Sequence, residues 1–224
     1  MSSELPPSKL GTKKHWDDVY SLELTNFEDI GDEGEIWFGE DSVEKMLDWT
    51  QENIPKEPAP SILEIGSGNG ALLFALHEAG YNAQFICGAD YSEDAVNLAR
   101  AIGISRGEGA ERVTFAACDF LQDYPRVTEG MSKPDDGETK VWDLVLDKGT
   151  YDAIALAEKD ENGRTPADSY PSRIAGVVKP GGHFLIVSCN FTEGELKERF
   201  ATQETGLHYQ YIFLPNQRKP FADS

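Results

Sequence analysis

From Ser61 onward, short apolar runs alternate with stretches whose apolar residues recur every three or four positions. Residues 61–65, 85–89, 113–117, 141–146 and 183–188 have the length and unbroken hydrophobicity of strands buried on both faces of a parallel sheet. Between the first two runs, Ala71, Leu72, Ala75, Leu76 and Ala79 repeat at helical spacing until Gly80 supplies a stop. Ser92, followed by Glu93 and Asp94, predicts the capped start of a second helix with Ala95, Val96, Ala99 and Ile102 on one face. Upstream, Val43, Met46, Leu47, Thr50 and Ile54 mark an amphipathic helix that Asp41 or Ser42 can cap. Downstream, Thr192 and Glu195 form a capping box opening a short helix through Phe200. Two polar stretches, 126–140 and 158–173, are expected as mobile surface loops, the second after a strand end where substrates dock. A βαβαβ beginning of this kind predicts an α/β fold with a doubly wound, mostly parallel sheet.

In such a sheet, ligands sit at the carboxyl ends of the strands. There the first strand runs into Gly66-Ser67-Gly68-Asn69-Gly70, where a backbone without Cβ atoms can approach a ligand closely. The spacing Gly66-x-Gly68-x-x-Ala71 also satisfies the dinucleotide fingerprint, so spacing does not choose between a nicotinamide cofactor and S-adenosylmethionine. Glu64, inside the strand, contributes nothing to binding a pyrophosphate but suits a cationic ligand, such as the amino group of a methionine moiety. Asp90 lies at the distance where an acid reaches ribose hydroxyls, and suits either cofactor.

Lys and Arg total 20 against 40 Asp and Glu, a formal net charge of −20. Nucleic-acid binding by phosphate neutralisation is excluded on that balance, whereas a basic protein would be steered toward the chain, less so as salt rises. On charge alone, a merely soluble acidic surface is the plainer reading. Cys87, Cys118 and Cys189 lie far apart and are expected as buried reduced thiols. They and the four histidines lack ligand spacing, so no metal is expected. The opening residues lack the apolar core of a signal peptide and no window approaches a membrane span, which predicts a cytoplasmic protein, or one shared with the nucleus, making no membrane contact.

Leu63-Glu-Ile-Gly-Ser-Gly-Asn-Gly70, Asp90, Cys118-Asp119-Phe120 and Val178-Lys-Pro-Gly-Gly-His183, in that order, resemble the motifs of the class I, seven-strand S-adenosylmethionine-dependent methyltransferases. The resemblance implies a seven-strand Rossmann-like sheet with helices on both faces. It also implies S-adenosylmethionine as cofactor and S-adenosylhomocysteine as product. Glu64 would lie by the methionine part, Asp90 by the ribose and Asp119 by the adenine amino group, with Phe120 packing on the ring. Trp37, Gly66, Ser67, Gly68, Gly70, Tyr91, Cys118 and Asp147 complete the expected cofactor set.

Substrate chemistry in this architecture is expected after the fourth strand, within residues 142–154. That segment lacks the Asn/Asp-Pro-Pro-aromatic signature of amide and adenine-amino methylation. Asp147 and Tyr151 are the residues expected to hold an amine, with a helix-cap or turn acid beside Gly149 as the alternative for Asp147. A lysine amine, with a pKa of about 10.4, must lose a proton before its lone pair attacks a methyl group in line. Asn190, beside Phe191, is expected as the other catalytic wall.

The segments Ser8-Lys-Leu-Gly-Thr-Lys-Lys-His-Trp-Asp-Asp-Val-Tyr20, Gly31-Asp-Glu-Gly-Glu-Ile-Trp-Phe-Gly39, Asp147-Lys-Gly-Thr-Tyr-Asp-Ala153 and Ser188-Cys-Asn-Phe-Thr192 resemble a narrower group. These are the eukaryotic lysine methyltransferases of translation elongation factor 1-alpha, the group described as lysine methyltransferase 2. The resemblance implies methyl transfer to a lysine of that basic factor, by a monomer. Residues 1–54 would form a lid segment and helix, with Lys13, Lys14, His15 and Trp16 leading the lid, and residues 55–224 the methyltransferase domain. Methylation of a small molecule and a non-catalytic cofactor-binding module are the alternatives; a nicotinamide oxidoreductase leaves Glu64, Asp119 and the Lys179-Pro-Gly-Gly182 turn without a reason. One apolar strand is expected at 207–214 with no partner strand, which would leave that sheet edge incomplete.

Overall fold

A computed structural model describes residues 5–125 and 139–210. Its centre is a five-stranded, wholly parallel sheet of β1 (Ile62–Ile65), β2 (Ile86–Asp90), β3 (Thr114–Ala117), β4 (Trp142–Lys148) and β5 (Val178–Val187), ordered β3-β2-β1-β4-β5. The strand order reverses at β1, which makes the carboxyl end of β1 the switch point where this architecture binds ligands. The sheet is doubly wound, as the alternating pattern predicts, and five of the seven expected strands lie among the described residues.

Helices α1 (Lys13–Ile30), α2 (Glu40–Asn53), α3 (Ala71–Glu78) and α4 (Glu93–Arg106) contribute to one core, with Ile62, Ile86, Leu144 and Leu146 from the sheet. Helices α5 (Thr150–Ala155), α6 (Tyr170–Ala175) and α7 (Glu193–Phe200) contribute to a second core, with Leu63, Ile65, Cys87, Ala89 and Val145. Consecutive strand residues thus feed opposite cores, the two-residue alternation of a strand made into two packed layers.

The leading segment, expected as a lid, is an 18-residue helix. Thr12 caps it, the Lys13–Asp17 and Lys14–Asp18 pairs brace its first turns, and Gly31 ends it in the left-handed region. Trp16, Tyr20, Leu24 and Phe27 stand on its inward stripe and pack on the first core. α2 is capped by the backbone of Gly39, with Asp41 already inside the first turn, so neither Asp41 nor Ser42 is the cap. The capping box at Thr192 and Glu195 forms as expected.

The loop expected at 158–173 is only partly a loop. Residues Pro166–Asp168 form a 3-10 turn and Tyr170 begins α6, fully buried in the second core. The loop expected at 126–140 lies almost wholly outside the described residues. Of the strand expected at 207–214, residues 207–210 are irregular and the rest lies outside the described residues. All three cysteines are free, but only Cys87 is buried; Cys118 is half-buried and Cys189 exposed, against the expectation of buried thiols. No described helix is long and apolar enough to cross a membrane.

Candidate active site

The glycine turn closes directly on β2. Gly66 and Ser67 both donate their N–H groups to the Ala89 carbonyl, at 2.7 and 3.2 Å, and Gly68 donates to Asp90 Oδ2 at 3.0 Å. Asp90 Oδ1 accepts from Ser92 at 2.9 Å, so one carboxylate ties the turn to the start of α4. All three glycines have positive φ, and space forbids a side chain as well. A Cβ on Gly66 would lie 2.1 Å from Thr150 Oγ1, and one on Gly68 would lie 2.4 Å from the Tyr20 hydroxyl.

Glu64 sits at the end of β1, fully buried, and neither carboxylate oxygen has a hydrogen-bond partner among the described residues. Burial pushes its pKa up to about 8, the Lys148 ammonium opposes that shift, and Asp147 and Asp90 add to it. A buried carboxyl without partners is costly, and here it marks a place where a cation is wanted. Asp90, also buried, is pushed up to about 6, chiefly by burial, against its backbone hydrogen bonds and Lys13.

Two acids on the same sheet face, beside a turn cleared of side chains, fit the methionine ammonium and the ribose hydroxyls of S-adenosylmethionine. A pyrophosphate would face the same acids without a counter-charge. When bound, that cofactor supplies an electrophilic methyl group on a sulfonium. Asp119 is exposed at the end of the neighbouring strand, with its carboxylate accepting from Leu121 N–H, and Tyr91 is half-buried beneath the Lys13 ammonium. Cys118 donates its N–H to the Asp90 carbonyl, placing this edge against the acid.

Several expected site residues stand elsewhere. Ser67 turns its buried hydroxyl toward Gly88, under the turn rather than over it. Phe120 is buried in the second core, edge-on to Tyr170 and Tyr124 with the Arg173 guanidinium over its ring, so it does not offer a face to an adenine. Asp147 is fully buried and its carboxylate accepts from Thr150 N–H (2.8 Å), Tyr151 N–H (3.0 Å) and the Tyr170 hydroxyl (2.7 Å). It caps α5 within the second core, and strand alternation is the reason. Asp147 pairs with Ile65, whereas Glu64 pairs with Leu146, so the two acids face opposite sides of the sheet. Tyr151 is buried likewise, stacked on Tyr170 with its hydroxyl accepting from Arg199. Both side chains are thus engaged within the second core, and the hydrogen bonds of Asp147 are those of an acid at the start of α5.

The loop after β5 and the segment before α2 are held by other residues. Asp152, buried, accepts from the Ser188 hydroxyl and from the N–H groups of Cys189 (2.7 Å) and Asn190 (3.2 Å), fixing the loop after β5 that carries Asn190 and Phe191. On the opposite side, Lys148 Nζ donates to the Trp37 carbonyl at 3.0 Å, while Phe38, itself at φ 68°, packs on Gly149, where a Cβ would come within 2.1 Å of its ring. Trp37 stands edge-on to Trp16 of α1 at 4.8 Å. Tyr20, Lys148 and Asp152 lie within the segments quoted from the sequence but were given no role there; the spacing of Trp16, Tyr20, Leu24 and Phe27 was the available signal for Tyr20.

A family model described as a methyltransferase domain matches residues 56–218. The protein-lysine N-methyltransferase efm4 of Schizosaccharomyces pombe is 41% identical over 92% of this chain and 86% of its own. The EEF1A lysine methyltransferase 2 proteins of Danio rerio and Homo sapiens are each 38% identical, over 89% and 87% of this chain and 77% and 75% of theirs. Among solved structures, the Haloferax volcanii complex of a methyltransferase with its activator aligns at a TM-score of 0.57 and 18% identity, covering 86% of this chain and 76% of the other. The magnesium protoporphyrin IX methyltransferase of Synechocystis, solved with bound S-adenosylmethionine, aligns at 0.52 and 17%, covering 90% and 92%.

Proposed function

The chain belongs to the methyltransferase-domain family, and from that footing we propose that it transfers methyl groups from S-adenosylmethionine to a lysine of translation elongation factor 1-alpha. The reading is carried by lysine methyltransferases of that factor being 38% identical to this chain over nearly all of its length. The net charge of −20 supports it, because an acidic enzyme steers a basic substrate.

Glu64 holds the cofactor's ammonium, Asp90 its ribose and Asp119 its adenine amino group. Gly66, Gly68 and Gly70 form the floor, with Tyr91 and Cys118 at its edge. The lysine enters between the Trp37-Phe38 segment and the Asn190-Phe191 loop, whose aromatic rings exclude water from the transferring methyl. The surrounding acids draw in the ammonium, and partial burial then favours the neutral amine that attacks. Asp147 and Tyr151 act beneath this surface by fixing α5, and Asp152 by fixing the acceptor loop. The reaction is placed in the cytoplasm, where the proposed substrate works.

Purified elongation factor 1-alpha, incubated with the protein and S-adenosylmethionine, should gain mass in 14-Da steps on one lysine-containing peptide. An unmodified factor, under conditions where the protein binds S-adenosylmethionine, would refute the assignment of substrate.

A further inference from the structure

Lys148 ends β4 on the same sheet face as Leu144 and Leu146, and therefore as Glu64, with which Leu146 pairs. Its ammonium opposes the effect of burial on Glu64, yet its hydrogen bond goes to the Trp37 carbonyl, at 3.0 Å. In a chain with 40 Asp and Glu against 20 Lys and Arg, this cation is directed to a backbone carbonyl instead of being paired with a carboxylate among the described residues. The Trp37 indole N–H is buried without a partner among those residues, so that ring supplies no hydrogen bond of its own to fix the segment.

Lys148 tethers a tight turn. Gly39 N–H donates to the Ile36 carbonyl at 2.9 Å, and Phe38, at the third position of the turn, has φ 68°. Glycine or asparagine ordinarily fills a turn position of positive φ, because a Cβ there is strained. Core burial does not offset the strain, since the half-buried Phe38 belongs to neither hydrophobic core. Its ring lies instead on Gly149, where a Cβ would come within 2.1 Å. Gly149 follows Lys148 directly, so one strand end both tethers the turn and receives its ring. The Ser42 hydroxyl, donating to the Phe38 carbonyl at 2.8 Å, holds the turn from α2. A strained ring outside both cores, at the carboxyl end of the sheet, points to a working surface.

We propose that Lys148 is a positioning residue for methyl transfer, whose ammonium holds the Trp37–Phe38 turn so that the Phe38 ring forms a fixed wall for the acceptor amine. This role rests on the acceptor reading above. Attack on the methyl group must be in line, and a misplacement of about 1 Å can cost about 100-fold in rate. Lys148 acts through the Trp37 carbonyl and touches neither the amine nor the methyl group. Loss of the tether therefore slows the bound complex more than it weakens the binding of either substrate.

Steady-state transfer from S-adenosylmethionine to elongation factor 1-alpha, together with amide hydrogen exchange of the full chain, tests this. Lys148→Met keeps the apolar stem and removes the donor, and should lower kcat about tenfold or more. KM for the factor and the dissociation constant for S-adenosylmethionine should each stay within about threefold, while the Gly39 amide exchanges about fivefold faster or more. Phe38→Gly relieves the turn and removes the ring, and should lower kcat to a similar extent. The double variant should lose little beyond either single one, because both changes remove the same wall. Any of four results would overturn the proposal: unchanged kcat in either single variant, equal losses of kcat and cofactor affinity, unchanged Gly39 exchange in Lys148→Met, or losses that multiply in the double variant. Wild-type protein that bound S-adenosylmethionine but left the factor unmodified would overturn the acceptor reading and the role of Lys148 with it, a result distinct from those four.

Discussion

Replacing Glu64 by glutamine keeps the volume of the side chain at the end of β1 and removes its charge. In the free protein the Glu64 carboxyl is pushed up to about 8, so it is about nine-tenths protonated at pH 7. A ligand ammonium requires the carboxylate, so binding at pH 7 should release about 0.9 proton from this site. Isothermal titration of S-adenosylmethionine in phosphate and in Tris, whose ionisation enthalpies differ widely, reads that release as a buffer-dependent heat. Glu64→Gln should abolish the buffer dependence and weaken binding by roughly 30-fold or more, the scale of a lost buried charge partner.

The free protein should respond in the opposite direction. The folded-state pKa lies above the ordinary 4.5, so the contribution of Glu64 to stability is fully present below about pH 4.5 and is lost as pH rises through about 8. Between pH 4.5 and pH 7 that loss amounts to about 3 kcal/mol, at 1.36 kcal/mol for each pH unit. Glu64→Gln should therefore raise the melting temperature at pH 7 to 8 while weakening the cofactor. A variant that bound S-adenosylmethionine as tightly as wild type, with the same buffer dependence, would refute the placement of Glu64 against the ammonium.

Gly68→Ala sets a Cβ 2.4 Å from the Tyr20 hydroxyl at a φ of 52°, and should cost about 1–3 kcal/mol of stability together with most cofactor affinity, read by thermal melts with and without ligand. Asp147→Ala strands the Thr150 and Tyr151 N–H groups and the Tyr170 hydroxyl, so about 3–5 kcal/mol of stability should be lost in urea unfolding; full stability with transfer alone abolished would restore Asp147 to the acceptor site. Asp152→Ala should free the Ser188–Asn190 segment, lowering kcat/KM for the protein substrate at least tenfold while the dissociation constant for S-adenosylmethionine moves less than about twofold.

Periodicity and turn chemistry were enough for a good part of this molecule. The five apolar runs name the five strands to within a few residues at most ends, because a strand buried on both faces must be apolar throughout. β5 begins earlier than its apolar run, at Val178, because Val178 pairs with Trp142 ahead of a register shift across Lys179–Gly182, and pairing resumes at His183. Glu64 and Asp90 stood out in the sequence because an acid inside an apolar strand, or at the end of one, carries a burial cost that a ligand can offset. Asp147 looks the same by that criterion and is not the same.

The sequence by itself determined the parallel sheet, the glycine turn and the two acids beside it, all of which depend on residues close together in the chain. Only the tertiary structure decided which side of the sheet each acid faces. Ile65 pairs with Asp147 and Leu146 with Glu64, and that register sends Asp147 into a core where Tyr170, 23 positions away, is its partner. Tertiary packing likewise carried Tyr20, far from the turn in sequence, to within contact of Gly68. Local pattern specifies what each residue can do, whereas register and helix packing decide which residues it meets, and those are set by the burial of the whole core.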